Sequence, residues 1–250
     1  MSRLIVISNR VQPPAEDGPG NQGGLAVALS AGLRESQGIW FGWSGEPTDE
    51  FTGHINFRKS GGVTTATIDL EPQDIDEYYN GYANRTLWPL FHFRVDLAEF
   101  ERGFAGGYER VNARFADTLL PLLASDDLIW VNDYHLIPLG RELRDRGCAN
   151  RLGFFLHIPW PPTSLLLSLP SHRELVESLF AYDLVGFHTR EWLDSFLDYL
   201  RTQTDARIDA DDVIHHEGRT IHAIVCPIGI DTEDFMASAD GETSKAMRET

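Results

Sequence analysis

Short apolar runs alternate along this 250-residue chain with stretches of helical periodicity. Leu4-Ile5-Val6-Ile7 is the first such run, and others like it predict strands over 3–8, 39–43, 127–132, 151–157, 183–187 and 220–226. Between them, apolar positions three and four residues apart predict helices over 24–35, 72–84, 106–123, 136–146, 171–180 and 190–202. Val111, Phe115, Leu119 and Leu122 form one such stripe. Segments 55–60 and 63–69 read as a hairpin turning at Gly61-Gly62. The pattern decays from about residue 204. Strands that are solidly apolar belong to a parallel sheet covered on both faces. The expected fold class is therefore α/β: a Rossmann-like, mainly parallel sheet with helices on both faces. Ligands of such sheets bind beyond the carboxyl ends of the strands.

Polar and aromatic residues gather at those ends. The first strand runs into Ser8-Asn9-Arg10 and the second into Trp43-Ser44-Gly45. Later strands run into Asn132-Asp133-Tyr134-His135, His157-Ile158-Pro159 and His188-Thr189. A guanidinium, a carboxylate, three imidazoles and an indole on one rim suit a chiral polyol carrying an anion, such as a sugar phosphate. Arginine forks match phosphate, carboxylates bind paired hydroxyls and aromatic faces stack on sugar rings. Each residue also has a structural reading. Arg10 also reads as a surface arginine, Asp133 as a helix cap and His157 as a histidine satisfied by the backbone. Tyr79 lies on the helical stripe Ile75, Tyr78, Tyr79, Tyr82, and Trp43 and Trp88 are core residues by default.

Composition narrows the function classes. A net charge of −17, with Lys59 and Lys245 the only lysines, argues against nucleic acid, whose phosphates need basic neutralisation. A local arginine still dominates inside a cleft, because salt screens the global field beyond about 8 Å. No eighteen-residue apolar run predicts a membrane span. The first apolar run is too short for a signal peptide, and two distant cysteines, Cys148 and Cys226, predict neither a disulfide framework nor a zinc site. These features predict a cytoplasmic protein without a metal or cofactor; homo-oligomerisation is left open. Gly18-Pro19-Gly20-Asn21-Gln22-Gly23 matches GxGxxG in letters but is separated from Ser8 by nine residues, encloses a proline and lacks the acid expected directly after the second strand. It reads better as a loop whose Gly23-Gly24 amides open a helix and can meet a phosphate.

In order along the chain stand Ser8-Asn9-Arg10, Gly23-Gly24-Leu25-Ala26, Trp40-Phe41-Gly42-Trp43-Ser44-Gly45, Tyr78-Tyr79-Asn80 and Leu87-Trp88-Pro89. They are followed by Trp130-Val131-Asn132-Asp133-Tyr134-His135-Leu136, Phe154-Phe155-Leu156-His157-Ile158-Pro159 and Pro227-Ile228-Gly229-Ile230-Asp231. Together these strings resemble the N-terminal half of the trehalose-6-phosphate synthases, retaining glycosyltransferases of the two-domain GT-B fold. The resemblance implies glucosyl transfer from a nucleotide-activated glucose, UDP-glucose by expectation, to glucose 6-phosphate. It implies that Arg10 clamps the acceptor phosphate, with Tyr79, Trp88 and Trp43 around it, and that Asp133 binds acceptor hydroxyls. It implies that His157 lies by the transferred glucose and that Gly23 and Gly24 contact the donor diphosphate; His157 and Asp133 are the catalytic candidates. Residues 1–235 would be the acceptor-binding domain. Residues 236–250 would be a frayed tail at the junction to a donor-binding domain outside the chain, leaving activity of the 250 residues alone in doubt. The competing expectations are a non-catalytic sugar-phosphate-binding domain, a sister synthase using glycerol phosphate as acceptor and, on the glycine match alone, a nicotinamide-dependent oxidoreductase.

Overall fold

The structure is a computed structural model describing residues 2–11, 33, 36, 38–60 and 62–229. Its centre is a ten-stranded sheet in the order β3-β4-β2-β1-β5-β6-β7-β10-β9-β8. The strands are β1 (Leu4–Arg10), β2 (Ile39–Pro47), β3 (Asn56–Ser60), β4 (Val63–Leu70), β5 (Leu128–Asn132), β6 (Arg151–Leu156), β7 (Leu184–Phe187), β8 (Arg207–Ile208), β9 (Val213–His216) and β10 (Arg219–Val225). From β4 through β10 every neighbouring pair is parallel, and antiparallel pairing is confined to β3–β4 at one edge and to β8–β9–β10 at the other. The predicted 55–60/63–69 hairpin is β3–β4, and Gly62 in its turn takes φ +80°. The chain does not fade after residue 204 as its pattern suggested. It forms the small strands β8 and β9, whose half-polar character suits an antiparallel edge exposed to water.

Four longer helices, α1 (Arg102–Leu119), α2 (Leu139–Asp145), α3 (His172–Ser178) and α4 (Arg190–Gln203), connect the strands. They bury Phe115, Leu143, Val176 and Phe196 in one cluster with Ile5, Ile7, Phe41, Val131, Phe154 and Phe187 of the sheet. The opposite face carries a smaller cluster of Val6, Val11, Trp40, Val63 and Leu33, the last a helical residue. Most of the predicted 24–35 helix lies outside the described residues, as do Gly23-Gly24 and the 236–250 tail. This arrangement follows from handedness. Strand-to-strand crossovers are right-handed, so steps from β5 towards β7 and the step from β1 to β2 pass over opposite faces.

The predicted 72–84 helix departs from expectation in its winding. After one turn at Pro72–Asp74 it becomes a 13-residue π-helix, Ile75–Leu87, in which the Trp88 N–H bonds the Ala83 carbonyl five residues back. Such helices are rare and recur at functional sites. Here Tyr78 and Tyr82 are buried, while Tyr79 of the same stripe packs against the core without being covered.

Candidate active site

The strand order reverses at β1: its chain successor β2 lies on one side and β5 on the other. The carboxyl ends of β1 and β5 flank such a switch point, the usual ligand position in open α/β sheets. Arg10 ends β1 and Asp133 follows β5; Asp133 and His157 follow neighbouring strands. Arg10 is exposed and pairs in register with Trp43 of β2, and its guanidinium lies 5.8 Å from the centroid of that buried indole. On its other flank is Gly45, at φ +96°, where a β-carbon would sit 2.4 Å from the guanidinium nitrogens. Only glycine meets both demands, the left-handed backbone and the close approach. Gly42 serves the same end, since a β-carbon there would fall 2.2 Å from the Ser8 carbonyl oxygen and push β2 from β1. Among the described residues, no carboxylate pairs with Arg10.

Behind Arg10 runs a chain of rings. Trp43 meets Tyr79 edge-on at 5.6 Å, Tyr79 stacks on His135 at 5.9 Å, His135 lies 3.9 Å from Tyr134, and Tyr134 lies 5.7 Å from Trp88. Trp88 is 45% exposed, so it belongs to the rim and not to the core. Trp43, by contrast, is 4% exposed, and its Nε1–H donates to the Glu46 carbonyl, so its core reading holds alongside its contact with Arg10. The strand-end pattern placed Tyr134 and His135 on the rim but not in a ring-to-ring arc, because they sit on a short 3-10 turn with no helical stripe to mark them. His135 is buried, which pushes its pKa down to about 3, and its Nδ1 meets no partner among the described residues.

Asp133 is not a conventional cap. It precedes the Tyr134–Leu136 turn but sits at φ 76°, ψ 166°, an unusual conformation for a residue with a side chain, and makes no side-chain cap bond. Its Oδ1 instead accepts from the His157 N–H at 3.2 Å, and its own N–H donates to the Phe155 carbonyl at 2.8 Å. Burial pushes its pKa up to about 6, against the pull of the Tyr134 and His157 backbone amides. His157 is half-buried and neutral, pushed down to about 4 by burial and by neighbouring His188, whose ring lies 5.5 Å away. Its Nε2 lies 3.0 Å from Oδ1 of fully buried Asn132. Thr189, the other polar residue after β7, has a structural use: its hydroxyl accepts from the Trp192 N–H and caps α4.

The rim gathers an arginine beside an indole, a carboxylate with a raised pKa, a neutral imidazole and a wall of aromatic rings, groups whose chemistry suits a polyol phosphate. Residues 3–249 match the model of glycosyltransferase family 20. The chain belongs to that family. Its similarity to trehalose-6-phosphate synthase of Escherichia coli (strain K12) is 46% identity over 243 residues, covering 96% of this chain and 50% of that protein. Solved structures of trehalose-phosphate synthases superpose closely. A Burkholderia xenovorans α,α-trehalose-phosphate synthase (UDP-forming) in complex with glucose-6-phosphate matches with a TM-score of 0.90 and 45% identity, covering 99% of this chain and 56% of that one. The E. coli protein bound with UDP-2-fluoro glucose matches with a TM-score of 0.89 and 45% identity, covering 96% of this chain and 52% of that one. The α/β fold is thus that of one half of these GT-B enzymes, and the chain spans about half the length of the curated relatives it matches. Among the described residues, no helix is long and apolar enough to cross a membrane.

Proposed function

We propose that the protein containing this chain is a retaining α,α-trehalose-phosphate synthase that transfers glucose from UDP-glucose to glucose 6-phosphate, and that residues 1–235 supply its acceptor side. The observation that carries this reading is Arg10, held between an indole and a glycine at the switch point without a carboxylate partner among the described residues. A guanidinium so placed offers its fork to an incoming phosphate. The complexes of the Burkholderia and E. coli relatives with glucose-6-phosphate and with UDP-2-fluoro glucose support the substrate assignment.

In this reading Arg10 takes the 6-phosphate, Tyr79 and Trp88 wall the pocket with Trp43 beneath, and Asp133 accepts from hydroxyls of the acceptor glucose. His157 lies against the transferred glucose, and Gly23 and Gly24 supply amides to the donor diphosphate. The new glycosidic bond forms as the bond from the anomeric carbon to the UDP oxygen breaks. The acceptor hydroxyl's proton passes to the departing phosphate on the same face, so Asp133 orients and need not act as base. Catalysis is then mostly positioning and electrostatic stabilisation of an oxocarbenium-like transition state. No metal or cofactor enters this scheme. The assay is release of UDP from UDP-glucose in the presence of glucose 6-phosphate. The 250-residue chain alone is expected to bind glucose 6-phosphate without releasing UDP, because a donor site in this reading needs the half that the relatives have and this chain does not span. UDP release by the chain alone would place the whole donor site within these residues and overturn the division of labour.

A further inference from the structure

We infer that Asn132 is a positioning residue that locks His157 in one tautomer, so that its imidazole meets substrate as a hydrogen-bond acceptor and never as a donor. The orientation of the Asn132 amide is decided by its surroundings. Its Nδ2 lies 3.3 Å from two carbonyl oxygens, those of Ile7 on β1 and Trp130 on its own strand, and only an NH2 group can satisfy both. The other end of the amide, Oδ1, must then face His157, and the Nε2 lying 3.0 Å away has to donate to it. A neutral imidazole carries one N–H, so Nδ1 is left with a bare lone pair.

The environment reinforces this assignment. Asn132 is fully buried and tied to β1 as well as β5, so its amide cannot turn without stranding a carbonyl and an N–H. The groups facing His157 are Asn132 at Nε2, the Asp133 carboxylate at the backbone N–H, the Phe155 ring at 4.8 Å and the His188 ring at 5.5 Å. His188 has the opposite polarity. Its Nδ1 accepts from the Ile228 N–H, so in the neutral ring Nε2 carries the proton. The rim therefore presents one imidazole that accepts and one that donates.

An acceptor-only Nδ1 can receive a hydroxyl hydrogen but offers nothing to a phosphate or carboxylate oxygen. His157 would in this way discriminate at its position for a sugar hydroxyl and against an anionic oxygen; this consequence, unlike the tautomer itself, rests on the function proposed above. The test is nitrogen NMR of the full chain labelled at histidine, at pH 7, with Asn132→Leu and Asn132→Asp as variants and thermal melting as the control for folding. The expected wild-type spectrum has one His157 species with a protonated Nε2 and an unprotonated Nδ1. Asn132→Leu, isosteric but without the acceptor, should give a mixture of both tautomers. Asn132→Asp, which keeps an oxygen facing Nε2, should restore the single tautomer and raise the pH at which His157 takes up its second proton. A wild-type spectrum with protonated Nδ1, or an Asn132→Leu protein that melts cooperatively with its His157 tautomer unchanged, would overturn the inference. Failure of the proposed reaction would be read separately, as absence of UDP release by the protein joined to its second half, and would leave the tautomer assignment standing.

Discussion

The two rims of this sheet use the same residue types to opposite ends. At the amino rim, Arg3 forks onto buried Asp127, with contacts of 2.9 and 2.6 Å. Arg144 bonds Asp183 and the carbonyls of Ala181, Cys148 and Asn150, and Arg219 bonds Asp183 and the carbonyls of Phe180 and Ala181. Those guanidiniums close loops, each bonded to a carboxylate and to at least one backbone carbonyl. At the carboxyl rim, Arg10 lies on an indole and a glycine instead, Asp133 is pushed up to about 6, and His157 and His135 are pushed down to about 4 and 3. Polar groups that lack a full set of partners among the described residues cost stability, and they persist where a ligand completes them. An arginine's meaning in this fold is set by the end of the strand on which it falls.

The largest expected effect tests the structural side of that contrast. Arg144→Ala should lower stability by about 2–4 kcal/mol, since it strands several part-buried acceptors at once. Arg10→Ala should stay within about 0.5 kcal/mol of wild type, as surface substitutions do. Equal losses in chemical denaturation would erase the distinction between the rims. Next comes the functional side: Arg10→Ala should weaken glucose 6-phosphate binding by about 1.5–3 kcal/mol, the usual worth of a hydrogen bond to a charged group, or roughly ten- to a hundred-fold in affinity. Plain glucose should bind as before, and calorimetry with both sugars would expose a merely structural Arg10 through equal losses.

A smaller effect is pH dependence, and its sign follows from Asp133, His135 and His157, with His188, lowered by burial, adding in the direction of the other histidines. Between about pH 5 and 6 the unfolded chain protonates His135 and His157 while the folded chain leaves both neutral. The folded chain holds a proton on Asp133 that the unfolded chain has released. Two protons favour the unfolded state and one the folded, so these groups make stability fall on acidification by about 1.4 kcal/mol per pH unit. Asp133→Asn removes the opposing proton and should roughly double their slope. An unchanged slope in denaturation titrations would mean that Asp133 titrates normally. The smallest effect belongs to Thr189, the carboxyl-rim residue with a structural bond: Thr189→Ala should cost about 1 kcal/mol by loss of the cap of α4. Binding of glucose 6-phosphate should stay unchanged, a result that direct titration can refute.

The alternation of apolar runs with helical stripes was enough to read the parallel sheet, because burial on both faces demands apolar strands and crossovers demand amphipathic helices. The rim residues were legible for a related reason: Arg10, Asp133 and His157 follow strands directly, and an α/β sheet puts every parallel strand end on one edge. What the sequence did not determine depends on contacts between distant segments. The β8–β9 edge was read as a fading pattern, since strands half open to water carry polar residues that no local rule separates from a loop. The π-winding of 75–87 lies in hydrogen bonds that reach five residues back, which a short apolar stripe does not separate from α-winding. Asp133 also read as a cap, until its left-handed backbone turned the carboxylate to the β6 end. Asn132 carried no signal beyond its place in a motif. Its meaning comes from lying between the Ile7 carbonyl and the His157 ring, 125 and 25 residues away in sequence. Periodicity records which side of an element meets the core, but the direction of a proton is fixed only when strands from separate parts of the chain are brought side by side.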